Sequence, residues 1–280
     1  MTSPHPDPHR DLDAQPDPAP FIASLEARGR TATQIRLRRG FLRFIPIRPG
    51  QRVLEVGCGT GVVLRDLAAL VGPRGHVVGV DRSRSLAGAA RHLVKRDRNH
   101  GRIAIRVAAG EQLPFRRPEF DVTLAVTVLL HVADPVSVVK EMARVTRPGG
   151  QVAAQDQDFG TVAIAHPDRA LTDRIMTGVA EHMYDEPYSG RRLPALLRAA
   201  GLERVRLRTD VYQDATLEPY TKGFLERRAE LAVQYGIIDA PTAQRWLDGF
   251  TALVADGAFV MTMNYYGAIG DKPASGGRAR

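Results

Sequence analysis

This chain of 280 residues predicts a doubly wound α/β fold around a mostly parallel, seven-stranded sheet. Three observations carry that expectation. Short apolar runs alternate with helix-length amphipathic stretches from Arg52 to Asp156, the pattern of a parallel sheet covered on both faces. A glycine-rich turn, "VGCGTG" (Val56–Gly61), joins the first apolar run to the first of these helices. The second run, "VVGV", ends on an acid, Asp81, 20 residues after Gly61.

The elements follow in order. Residues 1–20 carry prolines at 4, 6, 8, 16, 18 and 20; proline removes backbone donors and disfavours helix in the residue before it, so a disordered tail is expected, with His5 and His9 solvated. Residues 21–45 mix apolar and arginine positions at helical spacing, interrupted by Gly29 and Gly40, and read as one or two helices. Val53–Val56 is a buried strand, and the helix after the glycine turn presents Val62, Val63, Leu67 and Leu70 on its apolar side. After "VVGV" comes a helix with Leu86, Ala89, Ala90, Leu93 and Val94 in phase, then "RIAIRV" with Ile103, Ile105 and Val107 alternating, then the strand "FDVTLAV". Asp134 is placed as an N-cap with Pro135 in the first helical position, ahead of a Val136, Val139, Met142, Ala143 stripe; "QVAAQD" is the fifth strand.

Beyond Asp156 the rhythm loosens. Helices are expected around Leu171, Ile175 and Val179, around Leu193, Leu196, Leu197 and Ala200 up to Gly201, around Phe224, Leu225 and Leu231, and from Trp246 to Val254. "LERVRLRTDVY" and "FVMTMNYYGAIG" supply the last two strands, and "DKPASGGRAR" (271–280) reads as a second flexible tail.

The formal charge is +8, carried almost wholly by arginine, since lysine occurs only at 95, 140, 222 and 272. Basic chains often bind polyanions, yet these arginines are scattered beside Asp and Glu without interleaved aromatics, which argues against nucleic acid. Cys58 is the single cysteine, so neither an intrachain disulfide nor a cysteine zinc cluster can form. It reads as a small residue filling a tight turn. No apolar stretch approaches the ~18–20 residues of a membrane span and no signal-peptide core opens the chain. A soluble cytoplasmic protein that does not engage a membrane is expected.

A glycine turn between strand and helix lets a ligand lie against bare backbone beside unpaired N–H groups. The dinucleotide pattern needs its third glycine one position later, where this chain has Val62, and the Gly-Lys-Ser/Thr ending of a phosphate loop is absent. Asp81, closing the second strand, is placed to accept from both ribose hydroxyls. Together these features describe an adenosine-type ligand without a pyrophosphate.

"VLEVGCGTG", "VVGVDRS", "GEQLPF", "FDVTLAVTVLLHVADP" and "EMARVTRPGG", in that order, resemble the class I S-adenosylmethionine-dependent methyltransferases, nearest in flavour to the small-molecule enzymes of quinone and natural-product biosynthesis. The resemblance implies a Rossmann-like methyltransferase fold in one domain over 21–270, with a cofactor-binding core at 46–156. It also implies acceptor-side helices at 21–45 and 159–258, the latter a helical insert over the active site. S-adenosyl-L-methionine is the implied cofactor. Glu55 matches the acid near the methionine ammonium; Gly57, Cys58, Gly59 and Gly61 match the loop under methionine and ribose; Asp81 and Arg82 match the ribose acid and its adenine-flanking neighbour. Ala109, Gly110 and Glu111 match the adenine segment, and Thr127 a position lining the methionine. One position departs: Ala109 stands where the family has a carboxylate for the adenine amino group, a loss worth about 1–2 kcal/mol of affinity.

A sulfonium methyl is already activated, so holding the acceptor in line is the main lever, and a base matters only for an acceptor that must lose a proton. His131, after the fourth strand, is the candidate base. Asp156 and Asp158 are expected to face the same mouth, and Tyr184, Tyr188, His166 and His182 to pack in the insert above it. No metal signature is present in the spacing. The resulting reading is methyl transfer to an O, N or C atom of a small molecule, a secondary metabolite or quinone-like compound. Methylation of RNA or protein, and a cofactor-binding protein without turnover, stand as alternatives, and the oligomeric state stays open.

Overall fold

The computed structural model describes residue 7 and residues 9–274. A short 3-10 turn at Leu12–Ala14 precedes α1 (Ala19–Arg30) and α2 (Ala32–Phe44), the latter capped by Thr31. The parallel half follows: β1 (Arg52–Val56), α3 (Val62–Val71), β2 (His76–Asp81), α4 (Arg84–Val94), β3 (Ile103–Val107), β4 (Phe120–Val126), α5 (Pro135–Val145) and β5 (Thr146–Gln157). A two-residue β6 (Ala163–Ile164), α6 (Arg169–Met183), α7 (Ser189–Ala199), β7 (Glu203–Asp214), α8 (Pro219–Gln234), α9 (Ala240–Ala255) and β8 (Met261–Asp271) complete the chain. Among the described residues no helix is long and apolar enough to cross a membrane.

The sheet runs β3-β2-β1-β4-β5-β8, with β7 on the far side of β8 and β6 continuing the β5 side of β8. β8 is antiparallel to both neighbours, and the first five strands are parallel. Among the described residues the sheet therefore has eight strands rather than the expected seven. Its extra member is too short for any sequence period to reveal. Central β1 and β4 are buried almost throughout, whereas the edge strand β3 leaves Val107 at 39% exposure, because nothing covers its outer side. Asp134 caps α5 by accepting from the amide of Ser137 at 3.0 Å, and Pro135 opens that helix.

Two apolar layers clamp the sheet. On one face Phe41 and Leu42 of α2, with Ile45 just after it, pack with Val63, Leu64 and Leu67 of α3 against Val53, Val122 and Ile269; on the other Val138, Val139 and Met142 of α5 pack with Leu193, Leu196 and Leu197 of α7. Leu70, expected on the buried side of α3, is 42% exposed. A separate core formed by α6, α8 and α9 centres on Trp246, whose indole N–H donates to the Thr172 hydroxyl at 2.9 Å.

Both expected tails need correction. Asp7 is fully buried, Leu12 is 2% exposed, and α1 begins at Ala19, so residues 7 and 9–20 are packed structure. Side chains do the work that the prolines deny to the backbone: Asp13 accepts from Ser83 Oγ at 2.7 Å and from the amides of Arg84 and Ser85, sitting on the N-terminus of α4. At the other end Asp271 belongs to β8 and the Lys272 amide donates to Gly150 at 2.8 Å. His5 and residues 275–280 lie outside the described residues.

Candidate functional site

A cleft opens at the carboxyl ends of β1, β2 and β4, where an open parallel sheet presents its loops. β1 delivers Glu55 and then turns sharply: Gly57, Gly59 and Gly61 have φ of +70°, +51° and +80°, the left-handed region that side chains disfavour. At Gly57 space adds to torsion, since a Cβ there would lie 2.4 Å from Cγ2 of Val128. The amides of Gly57 and Cys58 both donate to the Val80 carbonyl, tying the loop to β2. α1 presses on the loop from outside: Glu26 accepts from the Thr60 hydroxyl at 2.6 Å and pairs with Arg65, and Gly29 comes so near Val62 that a Cβ would stand 2.9 Å from its methyls.

Two buried carboxylates face this loop. Glu55 is 2% exposed and its Oε2 has no hydrogen-bond partner among the described residues; burial and the neighbouring Asp81 push its carboxyl well above the usual range. Asp81 accepts from the amides of Gly59 at 2.8 Å and Ser83 at 2.9 Å, yet burial still raises its carboxyl. Cys58 is 4% exposed, and burial pushes its thiol well up, which suits a filler of tight space and not a nucleophile.

The cleft is also lined by Arg82, Ala108, Gly110, Glu111, Thr127 and His131. Ala109 is a correction: it does not line the cleft, and its immediate neighbours do. Thr127 holds φ at +54°, a conformation costly for a non-glycine residue and typical of sites that need it; its amide donates to Gln155 at 2.7 Å. Asp156 and Asp158 do not face the mouth. Both are fully buried, Asp156 accepting from Ser189 and Asp158 held by Arg191 and the Gly160 amide.

Residues 54–154 match the family described as Methyltransferase domain. Methyltransferase GfsG of Streptomyces halstedii is 32% identical over 202 residues, covering 70% of this chain and 66% of that protein. Demethylmenaquinone methyltransferase of Geobacillus kaustophilus is 36% identical over 128 residues, covering 46% and 54%. The chain thus spans about half to two thirds of the length of the curated relatives it matches. The crystal structure of the cyclase SpnF is 22% identical, covers 88% of this chain and 85% of its own, and superposes with a TM-score of 0.55, a likeness of fold alone. This chain carries a class I S-adenosylmethionine-dependent methyltransferase domain.

The methyltransferase cleft fits the family's cofactor on its own chemistry. A buried acid with an orphaned oxygen beside a second buried acid is costly to ionise without a cation, and a ligand carrying an ammonium and a sulfonium supplies that positive charge. Glu55 would hold the ammonium and Asp81 the ribose hydroxyls. The glycine loop leaves backbone open beneath them.

Several wall residues escaped sequence reasoning. Arg28 of α1 donates to the Tyr265 hydroxyl at 3.2 Å, and Gln34 of α2 donates to the same oxygen at 3.1 Å. Gln155 lines the cleft with them. His131 lies in a 3-10 turn, Leu129–His131, its ring tilted against His9 at 4.0 Å and edge-on to Tyr184 at 5.3 Å. Tyr184 in turn stacks on Phe159 and accepts from Arg228, a buried guanidinium set 4.7 Å over Phe159 and 4.8 Å over Phe224. His166 packs on Phe250, His182 on Tyr235, and Tyr188 donates outward to Glu181. Only Tyr184 of these four touches the cleft's own wall. The signal for the N-terminal contributors is weak, because an arginine on an amphipathic helix reads as surface.

Proposed function

We propose that the protein transfers a methyl group from S-adenosyl-L-methionine to an oxygen, nitrogen or carbon of a small-molecule acceptor. The carrying observation is the cleft itself: buried Glu55, with its orphaned oxygen, and buried Asp81 face the loop of three left-handed glycines, and the same cleft runs on to His131 and Tyr265, which supports a cofactor site continuous with an acceptor site. α1, α2 and residues 9 and 10 close over it, which favours a small acceptor over a polymer chain. Printed names among the relatives agree in part: one acts on demethylmenaquinone, and a quinone-like or secondary-metabolite acceptor is part of this reading. Many arginines are spent in ion pairs, among them Arg38 with Asp66, Arg52 with Glu119 and Arg147 with Asp121, which weakens the case for a polyanion. A cytoplasmic location is part of the reading, supported by the free buried thiol of Cys58.

The bound cofactor would supply an activated methyl on positively charged sulfur. Glu55 orients the methionine end, Gly57, Cys58, Gly59 and Gly61 leave room beneath it, and Thr127 lines its far side. Asp81 fixes the ribose; Arg82, Gly110 and Glu111 flank the adenine. His131 stands on the acceptor side as the base for a protic acceptor. The experiment is incubation with methyl-labelled cofactor and a cell extract, followed by mass spectrometry. A labelled small molecule supports the reading; label confined to protein or RNA, or no transfer by protein that binds S-adenosylhomocysteine, overturns it.

A further inference from the structure

The segment at residues 7 and 9–18 is a strap tied at both ends by aspartates. Asp13 holds one end on the N-terminus of α4, beside the Asp81 end of the cleft. Asp7 holds the other on His131, and His9 and Arg10 between them form part of the cleft wall. We propose that Asp7 is a positioning residue that fixes His131 as the base receiving the acceptor's proton, so that the strap is part of the catalytic apparatus. The proposal rests on the methyl-transfer reading above.

The hydrogen-bond pattern assigns the tautomer. Asp7 Oδ2 lies 2.5 Å from His131 Nδ1, and Oδ1 accepts from the His9 amide at 2.9 Å. Although burial alone would raise the Asp7 carboxyl, the His131 ring and His9 hold it below its usual range. An ionised carboxylate only accepts, so Nδ1 of a neutral His131 carries the proton. The lone pair is then on Nε2, which has no protein partner among the described residues. His9 does not compete as a charge: burial, the His131 ring and Arg28 hold it well below its usual range, against the pull of Asp7. The other groups around His131 are Tyr184, edge-on at 5.3 Å, and Asp156 behind its turn.

In the step, an acceptor X–H gives its proton to Nε2 as X bonds to the methyl carbon. The carbon–sulfur bond breaks with its electron pair going to sulfur, leaving the neutral thioether. The imidazolium so formed is paired with Asp7 and returns its proton to water after product leaves. An acceptor that loses a proton is therefore the expected class: a hydroxyl, an enol or an acidic C–H.

Two measurements test this. In protein labelled with 15N-histidine and saturated with S-adenosylhomocysteine, His131 (assigned by its loss in His131→Gln) should show a bare Nε2 and a protonated Nδ1, and Asp7→Ala should shift the tautomer toward Nε2–H. A protonated Nε2 in the unaltered protein overturns the proposal even where methyl transfer is seen. Initial rates of label transfer into the extract-derived product should fall about 10²–10⁴-fold in Asp7→Asn and in His131→Gln, with S-adenosylhomocysteine affinity within about threefold. The double variant should be no slower than the worse single one, since the pair acts as a unit. Additive losses, or an Asp7→Asn rate within twofold of normal, overturn it. Ligand atoms of Asp7, His9 and His131 lie within 4.8 Å of one another, so EDTA is included. Loss of transfer to EDTA, restored by zinc or magnesium, also overturns the base and gives the trio to a metal.

Discussion

The two walls of the cleft are built by different physics. The proposed cofactor wall centres on a strand end, three left-handed glycines and two buried acids, within one stretch of chain from Glu55 to Asp81. The opposite wall gathers residues far apart in sequence: Asp7 and His9 from the strap, Arg28 and Gln34 from the first helices, His131 after β4 and Tyr265 from β8. The first wall is set by local backbone geometry and admits little change. The second is set by side-chain contacts that can be exchanged one at a time, which is where acceptor choice can vary while the methyl donor stays fixed.

Substituting one glycine on the rigid wall should produce the largest effect. Gly57→Ala puts a Cβ at 2.4 Å from Val128 on a residue with φ +70°. Left-handed strain of about 1–2 kcal/mol adds to overpacking of about 1–3 kcal/mol. Urea unfolding should show about 2–5 kcal/mol lost, and calorimetry no binding of S-adenosylhomocysteine. Gly88→Ala in α4, where a new Cβ meets nothing within 4 Å, should instead be neutral or stabilising by up to about 1 kcal/mol. Equal losses in the two variants would remove the distinction between the walls.

Glu55→Gln should separate binding from stability. Its raised carboxyl means the folded state holds a proton more tightly than the unfolded chain, so ionised Glu55 costs stability at neutral pH and the cost shrinks as pH falls. The glutamine keeps the shape and removes that cost. Affinity for S-adenosylmethionine should drop about 10–100-fold, the worth of one or two charged hydrogen bonds, while the ligand-free protein melts a few degrees higher, about 2–4 °C per kcal/mol at this size. A variant that binds normally would show that the orphaned Oε2 has no cationic partner.

How much of this was legible follows the same division. The central strands, the glycine loop and Asp81 announce themselves because burial and left-handed turns demand particular residue types at consecutive positions. Asp7 did not, since prolines at 4, 6, 8, 16, 18 and 20 mark a chain without backbone bonds, and the strap is held by side chains instead. β6 is two residues long and exists only because β8 outruns β5. Ala109 missed the cleft by one residue, since Ala108, Gly110 and Glu111 line it and Ala109 does not. Asp156 and Asp158 looked like mouth residues because they end a parallel strand. Their partners, Ser189 and Arg191, lie at the start of α7, a pairing that no local pattern encodes.

Asp156 gives the clearest pH signature. It is fully buried, its Oδ1 has no hydrogen-bond partner among the described residues, and Ser189 donates to Oδ2 at 2.8 Å. Burial pushes its carboxyl up to about 7, partly offset by Ser189, the His131 ring and the nearby amides of Val128 and Leu130. Below about pH 4 both folded and unfolded chains are protonated here and the group is silent. Between about 4 and 7 the unfolded chain ionises first, so stability falls as pH rises; above about 7 both are ionised and the cost stays constant. Asp156→Asn keeps an acceptor for Ser189 and removes the charge, so urea unfolding should find it more stable than the unaltered protein at pH 8, by at most about 4 kcal/mol for a carboxyl moved from 3.8 to about 7, with the difference nearly gone at pH 4. A gap independent of pH would mean that Asp156 is neutral throughout, or that a donor reaches Oδ1 and holds its charge at no cost.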